Sequence, residues 1–218
     1  MAVRLLTLVV RTSEPEAASR FWSALLGPDG SAPLGLRFVA TDEPRRGLNP
    51  FHVHLSSNDR TQAATVERAL ALGATHLDVG QLPDESHVVL ADPGGDELCV
   101  IEEGNGWLAG TGFLGELAAD GTRDLGVFWG RALDWPLVHD EDGETAISSP
   151  DGAVKIAWGG EPLNPKHRPD RTYLELTVDD LDADVERLVG LGASVVARHG
   201  EEVELADPDG NEVRVRPV

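Results

Sequence analysis

Several stretches of this sequence occur twice, and the repetition dictates how the chain must be divided. VERALALGA (Val66 to Ala74) followed by ADPGGDELCV (Ala91 to Val100) returns as VERLVGLGA (Val185 to Ala193) followed by ADPDGNEVRV (Ala206 to Val215). An earlier pair, Phe21 and Trp22 followed by SALLG, returns as Phe128 and Trp129 followed by GRALDW. Repetition on this scale means two copies of one domain in tandem, so the 218 residues split into halves of about 105, each long enough for its own core. We expect domains over residues 1–104 and 113–218, joined by a linker at 105–112 in the Gly-rich, aperiodic stretch EEGNGWLAGTG.

Within each copy the hydrophobic period switches between strand and helix. Val3 to Val10 reads as a strand. Glu14 to Leu26 sets Ala17, Ala18, Phe21, Ala24 and Leu25 on one helical stripe, with Ser13 as N-cap, Pro15 just inside the start and Gly27 at the end. Leu36 to Ala40 is a short strand, and Pro44 to Pro50 is a basic, turn-rich loop. Next, Phe51, Val53 and Leu55 alternate with His52, His54 and Ser56, the pattern of a strand covered on one face. A helix from Arg60 to Leu72, capped by Gly73, leads to strands at Thr75 to Val79, His87 to Leu90 and Glu97 to Ile101. The second copy repeats this order, with strands at Leu114 to Ala119, near Ala146, and at Val154 to Trp158 and Thr172 to Val178. Its helices run from Thr122 to Leu133 and from Leu181 to Leu191, and closing strands follow. The fold class is α+β, with two units of strand, helix and two or three strands in each copy.

The chain carries 18 Lys and Arg against 38 Asp and Glu, a net charge of -20. That excludes nucleic acid, whose phosphates need clustered cations. It favours a cationic guest, although an acidic surplus also serves simply to keep a protein dispersed. No charged-then-apolar leader and no run of about 18 apolar residues occurs, so neither export nor membrane insertion is expected and the reading is cytoplasmic. The lone Cys99 cannot form an internal disulfide, in keeping with a reducing compartment.

Taken together, FWSALLG, FHVHLSS, the helix ending LGA and the turn DPGGDE resemble the glyoxalase-like, bleomycin-resistance-like members of the vicinal oxygen chelate superfamily. The second copy, with FWGRALDW, TYLELTV and ADPDGNE, matches better. The resemblance covers nearly the whole chain. It implies tandem domains, each of two βαβββ modules whose curved mixed sheets form a cup for a ligand. Glyoxalase I, extradiol dioxygenases and fosfomycin resistance enzymes hold a divalent metal there, whereas bleomycin-binding proteins use none.

In the metal-using relatives the ligands are His, Gln or Glu from the first strand of a module and from the closing strand, two residues beyond the Glu of GNE. In this sequence the closing position is Cys99 in one copy and Arg214 in the other. An arginine stays protonated and repels a cation. Tyr173 and Glu175 stand where the first copy has His52 and His54, and a Glu175–Arg214 charge pair is expected to close that cup. In the first copy His52 and His54 share the face opposite Phe51, Val53 and Leu55, which leaves both imidazoles facing the cup. His52 and the soft donor Cys99 are the metal ligands if there is a metal, with Glu97 on the face of Cys99. The first strand adds only Leu5, Leu6, Thr7 and Leu8, none a good donor.

Other residues weigh less. Glu97 and Glu212 finish the recurring hairpins, and the DPGG and DPDG turns are not phosphate loops, since no helix follows them. Trp158 shares a strand face with Val154 and Ile156, as a core residue or a ligand stacker. Trp22 and Trp129 recur at equal positions, which argues for packing. No nucleophile and base pair suggests a hydrolase.

The favoured reading is a metal-independent protein that holds a small organic molecule, with a preference for a cationic or amphipathic one, in the cup of the first copy, as in sequestration or resistance. The contact residues are His52, His54, Glu97, Cys99, Trp158, Tyr173, Glu175 and Arg214. An alternative is a lyase, isomerase or dioxygenase with His52 or His54 as base or metal ligand. A further alternative is a pseudo-dimer whose sole task is protein contact, with a filled cup. Two domains in one chain supply the pairing that shorter relatives obtain by dimerising, so a monomer is expected, with a homodimer as the other option.

Overall fold

The computed structural model describes residues 3, 5–27, 34–82 and 84–218; Arg4, inside the expected first strand, lies outside them. Four units follow one another. The first holds β1 (Leu5–Thr12), α1 (Pro15–Leu26) and β2 (Leu34–Ala40), and the second holds β3 (Phe51–Leu55), α2 (Gln62–Ala71), β4 (Thr75–His76), β5 (Val88–Ala91) and β6 (Glu97–Val100). The third is β7 (Leu114–Ala119), α3 (Arg123–Leu133), β8 (Leu137–Glu141), β9 (Glu144–Ser148) and β10 (Lys155–Trp158). The fourth is β11 (Thr172–Val178), α4 (Leu181–Leu191), β12 (Ser194–His199), β13 (Glu202–Ala206) and β14 (Glu212–Pro217).

The helices begin where short polar side chains satisfy free backbone N–H groups. Thr61, Thr122 and Asp180 accept from Ala64, Leu125 and Ala183, respectively. Helix α1 departs from this: its N-cap is Glu14, not Ser13, and no side chain caps it, so Pro15 in the first turn marks the start instead. The expected strand from Thr75 is only two residues long. Strand β8 was not expected, because Leu137 and Val138 are both exposed on a sheet edge and their pattern carries no alternation.

The modules pair across the two copies. The first and fourth units form a six-stranded sheet in the order β12-β13-β14-β11-β1-β2, and the second and third form an eight-stranded sheet, β4-β5-β6-β3-β7-β10-β9-β8. The opening strands lie at the joints: β1 runs antiparallel to β11 with Leu8 opposite Leu174, and β3 antiparallel to β7 with Val53 opposite Leu117. The connection from β6 to β7 joins the second and third units within one sheet, whereas those from β2 to β3 and from β10 to β11 cross between the sheets. The cup assigned to the first copy is therefore built by both.

The repeated words meet in space, which explains why they repeat. Asp92 of the ADP turn accepts the indole N–H of Trp22 at 2.9 Å, and its other oxygen accepts the backbone N–H groups of Gly94 at 2.8 Å and Asp96 at 3.0 Å. In the second copy Asp207 accepts from Trp129 at 3.4 Å, and from Asp209 and Asn211 in the turn. Each pair ties the helix of one sheet to the turn of the other through a common core. Burial, with the nearby Asp96, pushes the Asp92 carboxyl up to about 6. A carboxyl raised in the fold stabilises it most when protonated, so its contribution is lost as pH rises through that value. Between pH 5 and 7 the wild type should lose about 1 kcal/mol of stability in urea titrations that Asp92→Asn does not lose. Parallel curves for the two proteins would refute this.

Candidate functional site

Along β3 the alternation is complete: Phe51, Val53 and Leu55 are buried in the core, and His52 and His54 face the concave side. Pairing then sets their neighbours. On one side β6 places Cys99 opposite His54; on the other, β7 places Glu116 opposite His54 and Ala118 opposite His52. Ala157 of β10 lies beside Ala118. These small residues leave room, and the sheet encloses a cavity of about 490 Å³. His87, Val89, His139 and Trp158 add to its wall. The filled cup expected of a pure contact module is not what the sheet forms.

A hydrogen-bonded chain runs across the floor. The indole N–H of Trp107 donates to Glu116 Oε1 at 2.5 Å, Glu116 Oε2 lies 2.7 Å from His54 Nδ1, and His54 Nε2 lies 3.0 Å from His52 Nε2. Two imidazole nitrogens this close need a proton between them. Burial opposes charge on His54, but hydrogen bonds to Cys99 and Glu116 and the charge of Glu116 outweigh it and lift the ring to about 9. For His52, burial and then the charges of His54 and His87 act together and push the ring down to about 3. At neutral pH, then, His54 is a cation donating from both nitrogens, and His52 is neutral with its own proton on Nδ1.

His52, His54 and Cys99 each offer a donor atom, and these atoms lie within 4.8 Å of one another. Glu97 lines the same cavity, but its carboxylate is held by Arg45 and by the backbone N–H of Asn49 at 2.6 Å. Trp158 is buried in the cavity wall, and its indole N–H, itself buried, has no hydrogen-bond partner among the described residues. Tyr173, Glu175 and Arg214 lie elsewhere, on the six-stranded sheet. There Glu175 and Arg214 stand side by side in register yet do not pair. Glu175 is bound by Arg37 and Arg216, while Arg214 binds Glu202, Glu204 and Glu212. The expected charge pair is thus replaced by a wider network, because strands β2 and β13 bring partners that the counting of positions did not include. Arg11 stacks 4.3 Å over the Tyr173 ring and completes it.

Two floor residues escaped the sequence reading. Glu116 is the one acid in the apolar opening strand of the third unit, a position not compared with His52. Trp107 sits in the linker, where aperiodic sequence gives no facing rule, and it is fixed by Glu116 and by Lys155 Nζ, 4.5 Å from its ring centre.

Comparison with known proteins agrees with this architecture. The family model of the glyoxalase-like domain matches residues 7–101 and again 116–216. Glyoxalase I from Zea mays is similar in structure, with a TM-score of 0.67 at 14% identity over 98% of this chain and 92% of that one. A putative dioxygenase from Bacillus subtilis has a TM-score of 0.64 at 11% identity, over 100% of this chain and 85% of that one. Identity this low establishes the shared fold alone. No curated protein matches the chain by sequence.

Proposed function

The chain belongs to the glyoxalase-like domain family, and from that membership we propose that it binds a small organic molecule in the cup of the eight-stranded sheet without requiring a metal. One observation carries the reading: a largely apolar cavity of about 490 Å³, within the usual range for small-molecule sites, has a polar floor already held in place by its own hydrogen bonds. Trp107 and Glu116 orient His54, and His54 in turn fixes the tautomer of His52, so the ligand meets a preset donor on His52 Nδ1.

A second reading is favoured by the convergence of His52, His54 and Cys99. Nitrogen and sulfur donors within that distance fit a borderline or soft divalent ion, and Glu116 behind His54 is the outer carboxylate such ligands usually have. A metal held by these three residues would supply Lewis-acid activation of an oxygen ligand, the chemistry of an isomerase, lyase or dioxygenase. To bind there it must displace the proton that Glu116 and Cys99 favour on His54, which works against the metal.

A thermal-shift screen of organic metabolites on chelator-treated protein, repeated with added zinc, separates the two. The first reading expects hits that stabilise the metal-free protein by several degrees, as ligand in large excess over its Kd does. Hits that appear only with zinc would replace it with the second.

A further inference from the structure

We infer that the ligand of this cup is an organic anion whose carboxylate or phosphate group docks in a basic cleft opening off the cup. The inference rests on the ligand-binding reading above and adds the class of molecule. The cleft lies between the loop at residues 41–50 and the connection from β10 to β11. The loop replaces strands that each of the other three units places after its helix and following strand. The two segments touch, since a Cβ on Gly47 would lie 3.4 Å from the His167 ring.

Among the described residues, six cations line this cleft, Arg11, Arg45, Arg46, Lys166, Arg168 and Arg171; two acids, Glu43 and Asp120, share the lining, and four more carboxylates, Glu97, Asp96, Asp170 and Glu212, are bound to its guanidinium groups. In a chain of net charge -20, such a concentration is not a dispersed surface. Three of the guanidinium groups are oriented from behind: Arg11 by Glu212 at 2.7 Å, Arg171 by Asp96 at 2.9 Å, and Arg45 by Glu97. The others keep donors to spare. Lys166 donates to the neutral amide oxygen of Asn211, Arg46 has an ion pair with Glu43 at 3.8 Å, and Arg168 binds Asp170 through one nitrogen. An ammonium carries three N–H donors and a guanidinium five.

The cleft and the cup share walls at Leu48, Asn49, Asp120 and Asn164. A molecule seated over His52 can therefore extend past these residues and set an anionic group among the cations. The cleft, about 60 Å³, suits a single compact oxyanion. Whole-chain charge points to a cationic guest, but it is screened beyond a Debye length of about 8–10 Å, and the charges at contact distance decide.

The probe is inorganic phosphate, titrated at fixed pH and ionic strength while the His167 ring is followed by NMR. Saturable shifts in the millimolar range are expected. The variant Arg46→Ala/Lys166→Ala removes two exposed cations and should weaken phosphate at least about tenfold, with the phosphate-free Tm unchanged. Arg198→Ala, distant in the fold, should leave it as it is. Absence of saturable shifts, or equal affinity in the double variant, overturns the assignment. For organic ligands of the cup, masking the anionic group as a methyl ester should weaken binding to the wild type and not to the double variant. If the cup histidines respond to esters and acids alike, the anion assignment fails alone. If they respond to no ligand, the reading beneath it fails.

Discussion

Replacing Glu116 by alanine should lower stability by about 3 kcal/mol at pH 7 and leave His54 uncharged there. Glu116 is buried and holds two donors, Trp107 and His54. With the carboxylate gone, its hydrogen bond and its charge no longer oppose the effect of burial, only Cys99 does, and the ring moves down from about 9. The sign follows from linkage. A histidine raised in the fold contributes stability that is fully present below its ordinary value of about 6.5 and is lost as pH rises through about 9, so at pH 7 most of it is still there to lose. Discarding two pH units accounts for most of the 3 kcal/mol, and the orphaned Trp107 N–H for the rest. Urea unfolding gives the stability and histidine ring NMR the charge. Glu116→Ala with native stability, or with His54 still protonated at pH 7, would show that the floor is not held by this carboxylate.

The second large effect concerns the scaffold. Trp22→Ala should cost about 3–5 kcal/mol, while Trp22→Phe, which keeps most of the ring volume, should cost about 1–2 kcal/mol. Trp22 is buried against Phe21, with ring centres 5.5 Å apart, and its N–H is spent on Asp92. The alanine removes both the volume and the bond; the phenylalanine removes chiefly the bond. Denaturant titrations of both variants decide the matter, and equal losses would mean that the hydrogen bond, not the packing, dominates this joint.

What could be read in advance depended on whether local pattern carried the information. The alternation in Phe51 to Leu55 sufficed to turn His52 and His54 to one face, and the parallel wording around Gly73 and Gly192 located α2 and α4. The exchange of modules between copies was not legible, because β1, β3, β7 and β11 are all short, mostly apolar strands and nothing local says which meets which. Glu116 stayed hidden for the same reason: its partner His54 is 62 residues away and becomes a neighbour only through β3–β7 pairing. Glu175 and Arg214 illustrate the opposite error, since being adjacent in register did not make them partners once Arg37 and Arg216 competed for the same carboxylate. The basic loop at Pro44 to Pro50 was visible as a loop, but its meaning waited on the second basic segment it faces.

The seven histidines make the cup directly testable. His52, His54, His87 and His139 line it, whereas His76 and His199 are exposed outside it. Ring NMR during titration with a stabilising organic ligand should therefore move the four cup resonances together and leave His76 and His199 still. Binding that shifts His76 or His199 while the four cup rings keep their free positions would contradict the assignment of this cavity as the ligand site.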